Sequence, residues 1–198
     1  MIFAFLGILS GILFVIGDIP YVRDTFKGVT KPHRVTWGIV TLMNVIGFAN
    51  QYASGATNSL WIFVAATIMT GLIFLGSLKN GVGGTTTTDI LCLVIGLVGV
   101  ALWIVFDSPI YSILASIIAD VAALTPSFIK AKKNPESETK ISWLIGAVSS
   151  LLAGISVGRL DWQLLLLPVV AVLLQGYMVY ILYVEAPNRI RKVAKYVH

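Results

Sequence analysis

Four polar side chains interrupt long apolar runs of this 198-residue chain: Asp18, Asn44, Asp120 and Gln175. Counted at about 1.5 Å per helical residue, Asp120 lies roughly 16 Å into its run, near the middle. Asn44 and Gln175 fall near the middle of theirs, and Asp18 about 24 Å into the first. A carboxylate at the centre of a membrane helix costs on the order of 3 kcal/mol, so Asp120 needs a partner, a proton or water. Asp18 can do the same chemistry, or it can snorkel out or pair with Arg23. Asn44 and Gln175 can hydrogen-bond a polar solute or join neighbouring helices.

The runs that position these groups define the class. The chain is 57% hydrophobic and 12% charged, with a mean hydropathy of +0.90. Seven runs approach the roughly 20 residues needed to span a bilayer: 2–21, 35–52, 59–78, 89–106, 109–130, 141–158 and 162–184. In lipid each must be helical. The fold class is therefore all-α membrane protein with seven transmembrane helices. The first run has neither a basic leader nor a cleavage site and is expected to stay. Cys92 is the only cysteine, which excludes a disulfide framework or a cysteine-based metal site.

The formal net charge is +5, but the positions of the charges argue against nucleic acid. One set of alternate loops holds Arg159 as its only Lys or Arg; the other set and the C-terminal tail hold the remaining thirteen. The positive-inside rule then puts the N-terminus outside and the C-terminus in the cytoplasm, with a prokaryotic cell membrane as the expected location. The basic loops and tail would meet anionic headgroups. Trp37 and Trp143 fall near the inner surface, and Trp61, Trp103 and Trp162 near the outer one, as an aromatic belt would. Trp37 and Trp143 are also candidate pathway aromatics.

The runs repeat. Shifted by 106 residues, Pro20 falls on Pro126, Lys27 on Lys133, Trp37 on Trp143, and Arg34–Thr36 on the similar Lys140–Ser142. Asn44 meets Ser150, and Met69 meets Gln175. Such a match without gaps indicates an internal duplication. The expected organisation is a first triple-helix repeat over 1–78, a linker loop and fourth helix over 79–107, a second repeat over 108–185 and a basic tail over 186–198. Three helices are an odd number, so the fourth restores a parallel orientation. Asp120 matches Phe14, four residues from Asp18, which puts both acids on equivalent faces. Pro20 and Pro126 each remove a backbone hydrogen bond near one helix end, as paired gate hinges or as ordinary kinks.

The proline, the basic loop and the Thr36-Trp37 or Ser142-Trp143 pair that follows it resemble the SWEET and PQ-loop superfamily. That superfamily includes sugar facilitators, amino-acid exporters, nicotinamide riboside transporters and the KDEL receptor. The resemblance spans about residues 2–184 and implies two parallel triple-helix bundles joined by an inverting helix. Tyr21 and Ser127 replace the glutamines of that signature. Met69 and Gln175 occupy the level at which the sugar facilitators carry asparagines.

Enzyme chemistry is not expected. His33 is in a loop, and no His, Asp or Glu spacing suits a metal. "GVGGTTTTD" lacks the Lys of a phosphate loop and reads as a connector capped at Thr88 or Asp89. No cofactor is implied. The expected function is alternating-access transport of a small polar solute, with Asp120, Asp18, Asn44, Gln175 and Ser150 along the pathway of substrate or protons. Two alternatives stay open: an uncoupled facilitator of a neutral solute such as a sugar or nucleoside-like vitamin, and a non-transporting receptor or scaffold. Homo-oligomerisation is left open.

Overall fold

The computed structural model describes residues 1–84, 86–105 and 109–188. The side chains of Cys92 and Trp103 and the basic tail from 189 lie outside the described residues. Within them the chain is helical: α1 (Ile2–Phe26), α2 (Arg34–Ala53), α3 (Leu60–Asn80), α4 (Thr87–Val105), α5 (Pro109–Lys133), α6 (Lys140–Ser156) and α7 (Trp162–Tyr180). A π-helical turn, Ile181–Glu185, prolongs α7.

Four stretches are long and apolar enough to cross a membrane: Ile2–Phe26, Leu60–Asn80, Ile113–Lys133 and Trp162–Asn188. α2 carries Asn44, Asn50 and Gln51, which lower its hydropathy, and α6 is apolar but has 17 residues. α1 and α5 run past Pro20 and Pro126 to Phe26 and Lys133. Both helices are thus longer than the apolar runs suggest, because the basic residues after each proline continue the helix.

α3 packs against both α1 and α2, and α7 against both α5 and α6; across the two halves α1 meets α6, and α2 meets α5. α4 lies along α5. Glycine permits the close approaches of α1. A Cβ at Gly7 would stand 2.1 Å from the Asn58 carbonyl oxygen, and one at Gly17 would stand 2.6 Å from Ile145 Cγ2.

The exterior of this bundle is apolar, unlike that of a protein folded in water, and small hydroxyl residues join the apolar core. Ile8, Ile12, Ile16 and Ile19 form an exposed stripe on α1, while Ser10, Thr36, Thr70, Ser142 and Ser149 are buried. Small hydroxyl residues let helix backbones approach and can bond carbonyls locally. Thr70 and Ser149 do this, each bonding the carbonyl four residues back at 2.7 and 2.8 Å.

The connector before α4 departs from the expected cap at Thr88 or Asp89. Thr86 is the capping residue: its Oγ1 accepts from the Asp89 amide at 3.2 Å, and the Asp89 carboxylate accepts from the Thr86 amide at 3.3 Å. This reciprocal pairing starts the helix two or three residues earlier. The Asp89 carboxylate also takes the Gly84 amide at 2.7 Å and His33 Nε2 at 3.0 Å. Burial holds the His33 imidazole below its ordinary value, with Asp89 opposing. A neutral ring donating from Nε2 is therefore the state at pH 7, and it ties the α1–α2 loop to the start of α4.

Candidate functional site

Between the two halves lies a cavity of about 130 Å³, walled by α1, α2, α3, α5, α6 and α7. A single buried water occupies on the order of 10–15 Å³ by the same measure, so the space admits a small solute. Asp18, Asn44, Asp120, Ser150, Gln175, Trp37 and Trp143 all line it. These residues come from five helices, α1, α2, α5, α6 and α7, which pack together across the two halves.

The polar groups are used differently. Asn44 donates to the Val40 carbonyl of its own helix at 3.0 Å, so it does not bridge helices. Gln175 donates from Nε2 to Ser150 Oγ at 2.9 Å, joining α7 to α6. Gly146 leaves room for this amide, since a Cβ there would stand 2.1 Å from Gln175 Oε1. Met69, the repeat partner of Gln175, instead packs with Phe14, Ile62 and Ala153.

Asp18 and Asp120 stand apart from these. Asp18 is 6% exposed, and Arg23 binds Asp24 at 3.0 Å, so neither snorkelling nor the Arg23 pair describes Asp18. Among the described residues no side chain or amide bonds either carboxylate, and no Lys, Arg or His lines the cavity. Two acids therefore face one cavity with no balancing group among the described residues.

One end of the cavity is closed by aromatic rings. Tyr21 lies 4.9 Å from Trp37 and 6.3 Å from Trp143, and the two tryptophans are 5.9 Å apart between ring centroids. Trp37 and Trp143 are 6% and 7% exposed, whereas Trp61 and Trp162 are each 52% exposed. Only the latter pair is placed as a surface belt requires. Trp37 and Trp143 turn inward because α2 and α6 pack across the interface between the halves, where both rings join one buried cluster with Tyr21.

Behind the rings is a group that sequence reasoning did not single out. Glu138, 5% exposed, accepts from Tyr21 Oη at 2.7 Å and from Trp143 Nε1 at 3.1 Å. Its Oε1 faces Lys130 Nζ at 2.5 Å, a charge contact off the hydrogen-bond axis. Lys130 also donates to the Lys31 carbonyl at 2.6 Å, and Thr30 and Thr139 share a hydrogen bond of 2.6 Å. The α1–α2 and α5–α6 loops are thereby fastened beneath the aromatic floor. In sequence Glu138 is one more charge in "NPESETK", with nothing local to mark it as buried.

Pro20 and Pro126 lie outside the cavity lining, but their helices are braced across it. Thr36 Oγ1 donates to the Ala123 carbonyl, three residues before Pro126. Ser142 Oγ donates to the Gly17 carbonyl, three residues before Pro20. Donors and acceptors are each 106 residues apart. In α7, Gln51 Nε2 donates to the Leu164 carbonyl at 3.3 Å, four residues before Pro168. A proline frees or turns out such carbonyls, and side chains of neighbouring helices satisfy them. Thr36→Val and Ser142→Ala are each expected to cost about 1–2 kcal/mol, because a buried carbonyl loses its donor. Thr41→Val, which removes only a bond to the Trp37 carbonyl of its own helix, should cost less than about 0.5 kcal/mol. Thermal unfolding of the purified variants measures both; equal shifts for all three would remove the braces as a source of stability.

Comparison of the chain with protein-family models, with curated proteins and with solved structures returns no match.

Proposed function

We propose that this chain is an integral membrane transporter that carries a small polar solute by alternating access between two three-helix bundles. The observation that carries this reading is a pair of carboxylates, Asp18 and Asp120, that have no partner among the described residues and face one cavity at the junction of the two halves. Buried charges without partners are expensive, and in membrane helices they mark routes for ions, protons or substrates. The lipid-type exterior of α1 supports a membrane setting. The two equivalent braces, Thr36 to Ala123 and Ser142 to Gly17, support a repeat of the first three helices in the last three, with α4 as the inverting linker.

In this reading all seven helices span the bilayer, with the N-terminus outside and the C-terminus in the cytoplasm. The Glu138-anchored floor closes the cytoplasmic side, and Pro20 and Pro126 are the points about which the bundles bend. Asp120 carries the coupled proton. The Gln175–Ser150 bond and Asn44 favour a second reading, uncoupled passage of a neutral solute that hydrogen-bonds this polar row.

Reconstituted protein tests the proposal. Uptake of at least one solute from a panel of small polar compounds should exceed that of protein-free vesicles and respond to an imposed pH gradient. In a chain with Cys92→Ser, cysteines at Ser54 and Lys79 should react with impermeant thiol reagents from opposite sides, Ser54 from outside. Absence of flux for every solute, or labelling of both positions from one side, would sink it.

A further inference from the structure

The cavity has an unmet need for positive charge. Its described lining holds two carboxylates and no base. The cationic side chains nearby are engaged elsewhere: Arg23 with Asp24, and Lys130 with Glu138 and the Lys31 carbonyl behind the floor. Asp18 is more than nine-tenths buried, has no partner among the described residues, and stands one helical turn from Tyr21 on the cavity wall. The Trp37 indole N–H is turned to the Tyr21 hydroxyl on the same wall, without forming a full hydrogen bond.

The floor beneath these groups is aromatic. Tyr21 lines the cavity, and its hydroxyl donates to Glu138. The ring centroids lie 4.9–6.3 Å apart and the rings are inclined to one another by 45–80°. An ammonium or guanidinium head is attracted to such ring faces, most strongly where water is excluded. A bare divalent metal ion fits less well: it would want about six oxygen ligands, and no group of three or more His, Cys, Asp or Glu side chains is assembled among the described residues.

We propose that this cavity binds an organic monocation, its charged head held between Asp18 and the Tyr21–Trp37–Trp143 rings. This deepens the transport reading and rests on it for the fate of the bound solute. One cation balances one carboxylate, which leaves Asp120 free to exchange a proton.

Trp37 and Trp143 supply the readout, since a ligand on the floor changes their fluorescence. The purified full-length chain is titrated at constant ionic strength with tetramethylammonium, choline and guanidinium, and with 3,3-dimethyl-1-butanol, the neutral isostere of choline. The expected result is saturable binding of at least one cation and a preference of about tenfold or more for choline over its isostere, the scale on which a close charge partner is felt. Asp18→Asn should weaken the cation by about tenfold or more and leave the isostere unchanged. Equal binding of choline and its isostere, or no saturable response to any of the three cations, would overturn the proposal without recourse to a variant that must fold. Unchanged cation affinity in folded Asp18→Asn would overturn it too. Cation binding without uptake in vesicles refutes the transport reading and leaves this site standing; uptake of a neutral solute with no cation binding does the reverse.

Discussion

Asp120→Asn is expected to abolish uptake driven by a pH gradient while leaving exchange of solute across the vesicle membrane. The side chain lines the central cavity from α5 and has no partner among the described residues. Asn is nearly the same size, so packing around Leu124 and Ser116 on the same helix should be kept. What disappears is the ability to gain and lose a proton. Charging a carboxylate at mid-membrane costs on the order of 3 kcal/mol, and in the proposed transport reading this sets the scale on which protonation and solute passage are coupled. Removing the coupling should lower gradient-driven uptake by roughly 100-fold, equal to about 2.7 kcal/mol in a rate. Counterflow, which needs no net proton movement, should fall by less than about threefold, or about 0.7 kcal/mol. A neutral-solute facilitator predicts a modest change in both. If gradient-driven uptake and its pH dependence match the wild type, Asp120 leaves the mechanism, and Asn44 and Gln175 become the residues to test.

Glu138→Ala is expected to have the largest effect on stability. The carboxylate accepts from Tyr21 and Trp143 and faces Lys130, whose side chain is itself mostly buried. Truncation leaves a buried ammonium without its counter-charge and two donors without an acceptor. Losing one partner of a buried pair costs about 3–5 kcal/mol, and Lys130 can recover part of this by reaching toward solvent. A loss of about 3 kcal/mol corresponds to roughly 6–12 °C in the unfolding midpoint for a chain of this size. The Glu138→Ala, Lys130→Met double variant should regain much of the loss, because the orphaned charge is gone. Tyr21→Phe removes one hydrogen bond and should cost about 1–1.5 kcal/mol. Thermal unfolding of the four proteins in one detergent provides the measurement. A wild-type midpoint for Glu138→Ala would mean that the loops hold together without this carboxylate.

Local chemistry by itself determined the helical class, because long apolar runs leave the backbone no partner but itself. It also marked Asp18, Asn44, Asp120 and Gln175, since a polar side chain inside such a run stands out wherever the run is placed. The shift of 106 residues related Thr36 to Ser142 and Trp37 to Trp143 before any contact was known. Sequence could not tell what those pairs do. The carbonyls that Thr36 and Ser142 bond lie 87 and 125 residues away. For Trp37 and Trp143 a surface belt is a sufficient reading and pathway lining a further candidate, because a tryptophan near a helix end suits either until its neighbours are placed. Packing of α1 on α6 and of α2 on α5 decided the matter by turning both rings inward. The same packing drew Glu138 from a loop that looks solvated into the space behind Tyr21, where its burial depends on two loops meeting. Composition along the chain sets which groups are out of place in lipid; which of them share a cavity, and which are left without a partner, follows only from how the helices cross.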